Sequence, residues 1–156
     1  MGTLLILNAK IVNENTIVES DIYIRSGRIE KIGKDLSAMR VANILDVKGK
    51  FVLPGMIDDQ VRFREPGMEQ KGTIQSESRA AVAGGITTFF DMPSTIPHVL
   101  TSELLEQKME IAEQNSIANY SFYHGASNDN LEDIKNIDPL SCCGLKVFMG
   151  SSDGRV

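Results

Sequence analysis

The stretch TIQSESRAAVAGGITTFFDM, residues 73–92, decides the architecture of most of this chain. Its first part is acidic near the start, rich in alanine towards the end and stopped by Gly84 and Gly85, which predicts a helix. Its second part, residues 86–92, is β-branched and aromatic, which predicts a buried strand. A helix followed at once by an apolar strand is typical of a parallel sheet with helices on its outside.

The same alternation extends in both directions from this stretch. Residues 51–63 predict a strand that Pro54 and Gly55 break or bend. A helix, a strand, a short helix and a fourth strand are then predicted over residues 101–116, 118–123, 130–137 and 143–150. Four strands and three helices amount to half of an eight-fold (β/α) barrel, which takes about 250 residues. The chain is expected to be either a smaller open sheet or the front half of a longer barrel.

The first fifty residues follow a different pattern. They contain short β-favouring runs at residues 3–7, 10–12, 16–18, 21–25 and 28–33, separated by turn-forming residues. Gly27 suits the turn of a hairpin, and Lys48-Gly49 is predicted to turn between two further strands. We therefore expect a small antiparallel β-subdomain over residues 1–50, with too few strands to close, followed by the barrel portion over residues 51–156.

Composition and charge limit the classes of partner. With 16 basic and 21 acidic residues the net charge is −5, and no basic cluster is present, which argues against nucleic acid or an anionic membrane as partner. The apolar run at the N-terminus is too short for a signal peptide or a membrane span. The two cysteines, Cys142 and Cys143, are neighbours, which rarely form an unstrained disulfide. A reduced, cytoplasmic protein is expected.

Four segments in order resemble those of a known family: VLPGMID at 52–58, REPG at 64–67, AAVAGGITTFFDMP at 80–93 and GLKVFMGSS at 144–152. They resemble the N-terminal portion of a dihydroorotase, in the cyclic amidohydrolase branch of the amidohydrolase superfamily, beside hydantoinases, dihydropyrimidinases and allantoinases. FREPG and KVFMGSS favour dihydroorotase over these relatives. The resemblance implies an α/β fold with a TIM-type barrel, and a hydrolase of pyrimidine biosynthesis that reversibly cyclises carbamoyl-aspartate to dihydroorotate.

The resemblance also implies a metal centre and a site for the substrate carboxylate. Two zinc ions would share a hydroxide and a carboxylated lysine, and would polarise the ring carbonyl. Lys146 matches that lysine, and Arg64 matches the arginine whose guanidinium fork holds the substrate carboxylate. Ser94 stands where dihydroorotases carry an asparagine that helps to hold the same carboxylate, so a hydroxyl replaces the amide donor.

Two positions depart from the metal part of the family motif. Gln60 and Arg62 stand where the family has two zinc-binding histidines. The alternation of a strand predicts that side chains 60, 62 and 64 share one face. An amide oxygen is a weak zinc ligand, and a guanidinium has no lone pair to donate and repels a dication. We therefore expect poor zinc binding and little or no turnover, although the family is enzymatic.

Lys146 and His124 each have a second interpretation. Lys146 lies in an apolar strand, where an unpaired ammonium costs free energy. Without metals to stabilise a carboxylated side chain, it is an ammonium paired with a carboxylate such as Asp58 or Asp91. His124 follows the third strand near the expected site, yet a lone histidine is seldom a zinc ligand.

The two arginines have structural interpretations as well. Arg64 could form a salt bridge to Glu65 or Asp59 instead of binding substrate. Arg62 is favoured as a salt-bridging side chain that fills the vacated metal pocket. The sequence leaves these alternatives open.

Three hypotheses of function remain. The first is a dihydroorotase-family protein with an impaired metal site and a small-molecule substrate. The second is a non-catalytic dihydroorotase-like subunit that supports aspartate carbamoyltransferase, and the third is an allantoinase- or hydantoinase-like enzyme. Uncovered strand edges of a half barrel predict association with a second copy or with a missing C-terminal half, and aspartate carbamoyltransferase is the partner expected under the second hypothesis.

Overall fold

The computed structural model describes residues 2–150. The chain divides into two compact units, Met1–Pro54 and Gly55–Val156. The division falls after the predicted boundary at residue 50, because Phe51 and Val52 pair with the first strand of the chain. Ser151 and Ser152 of the GLKVFMGSS segment lie outside the described residues.

The first unit is a mixed five-stranded sheet centred on its longest strand. β1 (Thr3–Asn13) pairs antiparallel with β2 (Thr16–Arg25), which pairs antiparallel with β3 (Arg28–Gly33). β4 (Asn43–Asp46) and β5 (Phe51–Val52) both pair parallel to β1. The sheet is thus only partly antiparallel, since two of its five strands run parallel to β1.

The hairpin predicted at Lys48-Gly49 is wrong. Both residues have left-handed backbone angles, with φ of 52° and 77°, as a tight turn would require. The segment does not reverse the chain, however, because β4 and β5 lie one after the other along β1 in the same direction. Local turn propensity was correct and the strand pairing was not, since the strands on both sides of the turn pair with β1 and not with each other.

The second unit is a four-stranded parallel sheet with helices between its strands. Its strands lie in the order β6-β7-β8-β9 and are Met56–Val61, Ile86–Asp91, Asn119–Gly125 and Gly144–Lys146. Its helices are α1 (Ile74–Ala83), α2 (Ser102–Asn115) and α3 (Leu131–Asn136). The predicted alternation of four strands and three helices is confirmed.

Helices α1 and α2 begin where their sequences predict. The Thr73 hydroxyl accepts from the Ser76 N–H at 3.0 Å, and the Ser76 hydroxyl accepts from the Thr73 N–H at 3.1 Å, which forms a capping box. The Thr101 hydroxyl accepts from the Leu104 N–H at 3.3 Å. Among the described residues, no helix is long and apolar enough to cross a membrane.

The core of the second unit lies between the sheet and these two helices. Phe89 and Phe122 on the sheet pack with Leu105 and Ala112 of α2, and all four are buried. Alternate residues of a strand face opposite sides of the sheet. Side chains at the positions next to Phe89 and Phe122 therefore lie on the face that the helices do not cover.

Candidate functional site

The residues singled out from the sequence gather at one end of the parallel sheet. Gln60 lies at the carboxyl end of β6 and Lys146 at the carboxyl end of β9, while Arg62, Arg64 and Ser94 lie just beyond strand ends. Strands of a parallel sheet all end at the same edge, where barrels of this type place their working groups. The sequence-predicted residues therefore share the edge at which chemistry is expected.

The end of β6 is irregular. Asp58 pairs with Phe89 and Val61 pairs with Asp91, so β6 uses one more residue than β7 across this interval, which is a bulge. The Gln60 N–H leaves the ladder and donates to Asp58 Oδ1 at 3.0 Å. The bulge turns the last side chains of β6 before the strand ends at Val61.

The prediction that side chains 60, 62 and 64 alternate on one strand face is wrong for Arg64. Its backbone has a φ of 72°, a left-handed angle that ends extended structure. Gln60 and Arg62 are exposed, and they alternate with Val61 and Phe63, which pack in the helix-covered core. Gln60 and Arg62 therefore share the uncovered face, as predicted, whereas Arg64 belongs to the loop.

Neither arginine has the predicted carboxylate partner. Within residues 2–150, no carboxylate forms an ion pair with Arg62 or Arg64. Glu65 instead accepts from the Ile74 N–H through Oε2 at 2.6 Å, at the N-terminus of α1. Its carboxylate is therefore committed to the helix end.

The loop that carries Arg64 is hydrogen-bonded to the loop that carries Ser94. The Ile96 N–H donates to Pro66 O at 3.0 Å. Gly67 has a φ of 90°, and a Cβ atom there would lie 2.1 Å from Ile96 O, so only glycine permits this approach. Ser94 Oγ is buried, with no hydrogen-bond partner among the described residues. Both predicted carboxylate-binding residues thus stand on one joined pair of loops.

A buried ion pair beneath these loops was missed by the sequence analysis. Lys108 of α2 and Asp91 of β7 are 0% and 1% exposed, and Lys108 Nζ lies 2.8 Å from Asp91 Oδ2. The same ammonium donates to Met92 O at 3.0 Å and lies 4.7 Å from the centre of the Phe122 ring. Burial raises the pKa of Asp91 and lowers the pKa of Lys108, each against the opposing effect of its partner.

One sequence signal could have found this pair. Leu105, Lys108 and Ala112 lie at i, i+3 and i+7, so the lysine falls on the apolar face of α2. A lysine in such a face requires a buried partner. Asp91 is therefore engaged by Lys108, and the expected pairing of Asp91 with Lys146 is wrong.

Comparison with known proteins identifies the family. A profile of dihydro-orotase-like proteins matches residues 49–146. The chain belongs to the dihydroorotase-like family. It is 38% identical over 150 residues to a dihydroorotase of Methanosarcina mazei, covering 96% of this chain and 33% of that protein. It is 32% identical over 149 residues to an allantoinase of Bacillus velezensis, covering 95% and 33%.

Part of a solved structure has the same fold as this chain. The L-hydantoinase from Arthrobacter aurescens superposes with a TM-score of 0.91 at 29% identity, over 97% of this chain and 34% of that one. The predicted α/β architecture, a small β-subdomain followed by amidohydrolase barrel units, is confirmed. The chain spans about a third of the length of the curated relatives it matches.

Lys146 of this dihydroorotase-like chain has an aromatic neighbour. It pairs in register with Gly125 of β8, and its Nζ lies 5.2 Å from the centre of the Phe148 ring. No carboxylate of residues 2–150 forms an ion pair with it, so the alternative pairing with Asp58 is wrong. Lys146 is half-buried as a residue, and its ammonium lies over the face of this ring.

The described residues do not fit the zinc pair that the family resemblance implies. Over residues 2–150, no three His, Cys, Asp or Glu side chains cluster closely enough to hold a metal ion. His124 is fully buried, and alternation along β8 places it on the same helix-covered face as Phe122, away from Gln60. Gln60 and Arg62 supply one weak ligand and one cation. No chemical step is therefore assigned to a metal here.

Proposed function

We propose that this chain is a dihydroorotase-type protein of pyrimidine biosynthesis, acting in the cytoplasm, that binds carbamoyl-aspartate or dihydroorotate but turns them over slowly or not at all. One observation carries the proposal. Arg64 and Ser94 stand on joined loops, where no carboxylate of residues 2–150 pairs with Arg64 and no described residue hydrogen-bonds to Ser94 Oγ, while the neighbouring metal positions hold Gln60 and Arg62. The substrate-binding half of the motif is retained and the metal-binding half is replaced.

The chemistry of Arg64 and Ser94 suits a carboxylate. A guanidinium donates two parallel N–H bonds to the two oxygens of one carboxylate, and the Ser94 hydroxyl adds one donor. Hydrogen bonds to a charged group contribute about 1.5–3 kcal/mol each, which corresponds to roughly tenfold or more in affinity. These two side chains would bind and orient the ligand, and neither would activate a nucleophile.

Ligand binding tests the carboxylate site. Isothermal titration with carbamoyl-aspartate and with dihydroorotate is expected to show binding that Arg64→Ala weakens at least tenfold and Ser94→Ala weakens less. Arg79→Ala removes an exposed guanidinium from α1 and is the matched control, with unchanged affinity. Equal affinity of the parent chain and Arg64→Ala would reject the assignment.

Metal analysis tests the impaired site. After equilibration with zinc and gel filtration, the parent chain is expected to retain well under one zinc ion per chain and to cyclise carbamoyl-aspartate slowly or not at all. The double variant Gln60→His/Arg62→His restores two imidazole ligands and is expected to retain more zinc. One or more bound zinc ions per parent chain, together with ordinary turnover, would contradict the proposed impairment of the metal site.

The replaced metal positions also favour a second candidate, a non-catalytic subunit that supports aspartate carbamoyltransferase. Such a role needs the fold and no metal, which agrees with Gln60 and Arg62 on the uncovered face. Co-purification of the two proteins, with the transferase failing to assemble when this chain is removed, would favour the subunit over the proposed dihydroorotate-binding protein.

Hydantoin and allantoin serve as further ligands in the titrations described above, because relatives of this chain include an L-hydantoinase and an allantoinase.

A further inference from the structure

The buried carboxylate of Asp91 reaches two different parts of the second unit. Its Oδ2 lies 2.8 Å from Lys108 Nζ, and its Oδ1 accepts from the Phe63 N–H at 3.1 Å. Phe63 stands between Arg62 and Arg64, two residues after β6 has ended. At the point where the chain leaves the sheet, the Phe63 N–H thus donates to this carboxylate and not to a carbonyl of a neighbouring strand.

Other contacts hold the same point of the chain against β7. The Met92 N–H donates to Val61 O at 3.0 Å, which is the last main-chain bond before Phe63. The Phe63 ring packs on Phe89 with 4.4 Å between ring centres. Between this anchored point and Pro66, which accepts from Ile96, the only residues are Arg64 and Glu65. The backbone of Arg64 is therefore held on both sides.

Lys108 in turn keeps the Asp91 carboxylate in one position. Its ammonium contacts Asp91 Oδ2, donates to Met92 O and lies over the Phe122 ring. A buried ion pair contributes little net stability compared with apolar side chains of the same size. Directional hydrogen bonds donated to a fixed carboxylate do constrain geometry.

We propose that Asp91, held by Lys108, is a positioning residue for the Arg64 carboxylate site: its Oδ1 fixes the Phe63 N–H and with it the left-handed turn at Arg64. The proposal rests on the proposed function as far as the ligand is concerned. Its structural part, the restraint on the backbone between Val61 and Arg64, stands independently of any ligand.

Two double variants separate positioning from stability. Asp91→Asn/Lys108→Met and Asp91→Leu/Lys108→Met both remove the two buried charges with side chains of similar size, so neither leaves an unpaired charge. Asparagine keeps an Oδ1 acceptor for the Phe63 N–H and leucine does not. Relative to the parent chain, the leucine variant is expected to bind dihydroorotate at least tenfold more weakly, and the asparagine variant within about threefold. Equal affinities in the two folded variants would overturn the proposal.

A second measurement distinguishes failure of this inference from failure of the proposed function. Hydrogen exchange of the Phe63 amide is expected to be protected in the parent chain and the asparagine variant, and at least tenfold faster in the leucine variant. If the parent chain binds no ligand, the proposed function is rejected, and this exchange still tests the restraint. Equal protection of Phe63 in both variants would reject the restraint.

If the leucine variant does not fold, Asp91→Glu takes its place. The extra methylene displaces the carboxylate while keeping its charge beside Lys108. At least threefold weaker binding and faster Phe63 exchange are expected, and parent values for both would overturn the proposal.

Discussion

Two carboxylates near the site are already bound by other groups of the protein, so they do not pair with its cations. Glu65 bonds to the N-terminus of α1 through the Ile74 N–H, and Asp91 is paired with Lys108. Arg64 and Lys146 are consequently left without a carboxylate among the described residues. From the sequence, carboxylates close to Arg64 in the chain were plausible partners for it. In the structure, Glu65 accepts from a backbone N–H instead, and Asp91 pairs with Lys108, which is distant in the sequence.

Gly67 is expected to be intolerant of substitution. In Gly67→Ala the added Cβ would meet Ile96 O at 2.1 Å at a φ of 90°, so the two loops would separate. The left-handed angle costs alanine about 1–2 kcal/mol, and the overlap adds about 1–3 kcal/mol. Urea unfolding measures the loss. Gly85→Ala is the control, because its φ is 89° and the nearest atom is a flexible methionine methyl at 3.7 Å. A loss no larger than that of the control would contradict this.

Lys108→Met is expected to destabilise the protein more at high pH than at low pH. It leaves the buried Asp91 carboxylate unpaired, which costs about 3–5 kcal/mol. Burial already raises the pKa of Asp91 above 3.8, and the Lys108 ammonium opposes that rise. Without the ammonium the pKa rises further, so the folded state binds an extra proton and loses stability as pH increases through that pKa.

Unfolding curves of this variant near pH 5 and near pH 8 measure the effect. The difference in free energy of unfolding between the parent chain and Lys108→Met should grow with pH. Since protonated Asp91 carries no charge to bury, a difference that shrinks with pH would refute the explanation.

At the scale of elements, α1 is joined to the site through its N-terminus. The Thr73 and Ser76 side chains cap the helix, and Glu65 accepts from the next free N–H, that of Ile74. Glu65 belongs to the REPG segment that also carries Arg64. The helix end therefore helps to hold the loop, and the negative carboxylate suits the positive end of the helix dipole.

Glu65→Ala is expected to lower the free energy of unfolding by about 1.5–3 kcal/mol, because it removes a charged acceptor of the Ile74 N–H. Glu65→Gln keeps an acceptor oxygen and loses only the charge, so a loss of about 0.3–1 kcal/mol is expected. Urea unfolding and hydrogen exchange at Ile74 are the measurements. Identical behaviour of the two variants would show that the hydrogen bond contributes nothing.

At the scale of the whole molecule, the parallel sheet has β6 and β9 as its edges within the described residues. On and after β9, Leu145 and Val147 are 47% and 58% exposed. An edge strand with exposed apolar side chains favours pairing with another chain. The 156-residue chain is therefore predicted to associate.

Sedimentation measured over a range of concentrations tests this prediction. The apparent mass should rise with concentration, and Leu145→Lys should reduce the rise, because a charge on an edge strand opposes pairing. Gln114→Lys adds the same charge at an exposed position on α2 and should leave association unchanged. An apparent mass equal to that of the monomer at every concentration would contradict the prediction.

The sequence alone was sufficient for most of the fold and for the family. Elements such as α2 and β7 depend on residues a few positions apart, so composition, caps and periodicity predict them well. The family motifs are contiguous segments and are read in the same way. The first sheet was predicted less well, since the parallel pairing of β4 and β5 with β1 joins residues some forty positions apart.

The sequence by itself determined the residue types at the site, including Gln60 and Arg62 at positions where the family resemblance implies histidines. Only the tertiary structure decided how those residues are held. The Phe63 N–H finds its acceptor 28 residues away, and Lys108 reaches across from α2 to Asp91. Such bonds depend on how a helix packs on a sheet, because burial forces each polar group to find a partner wherever packing provides one.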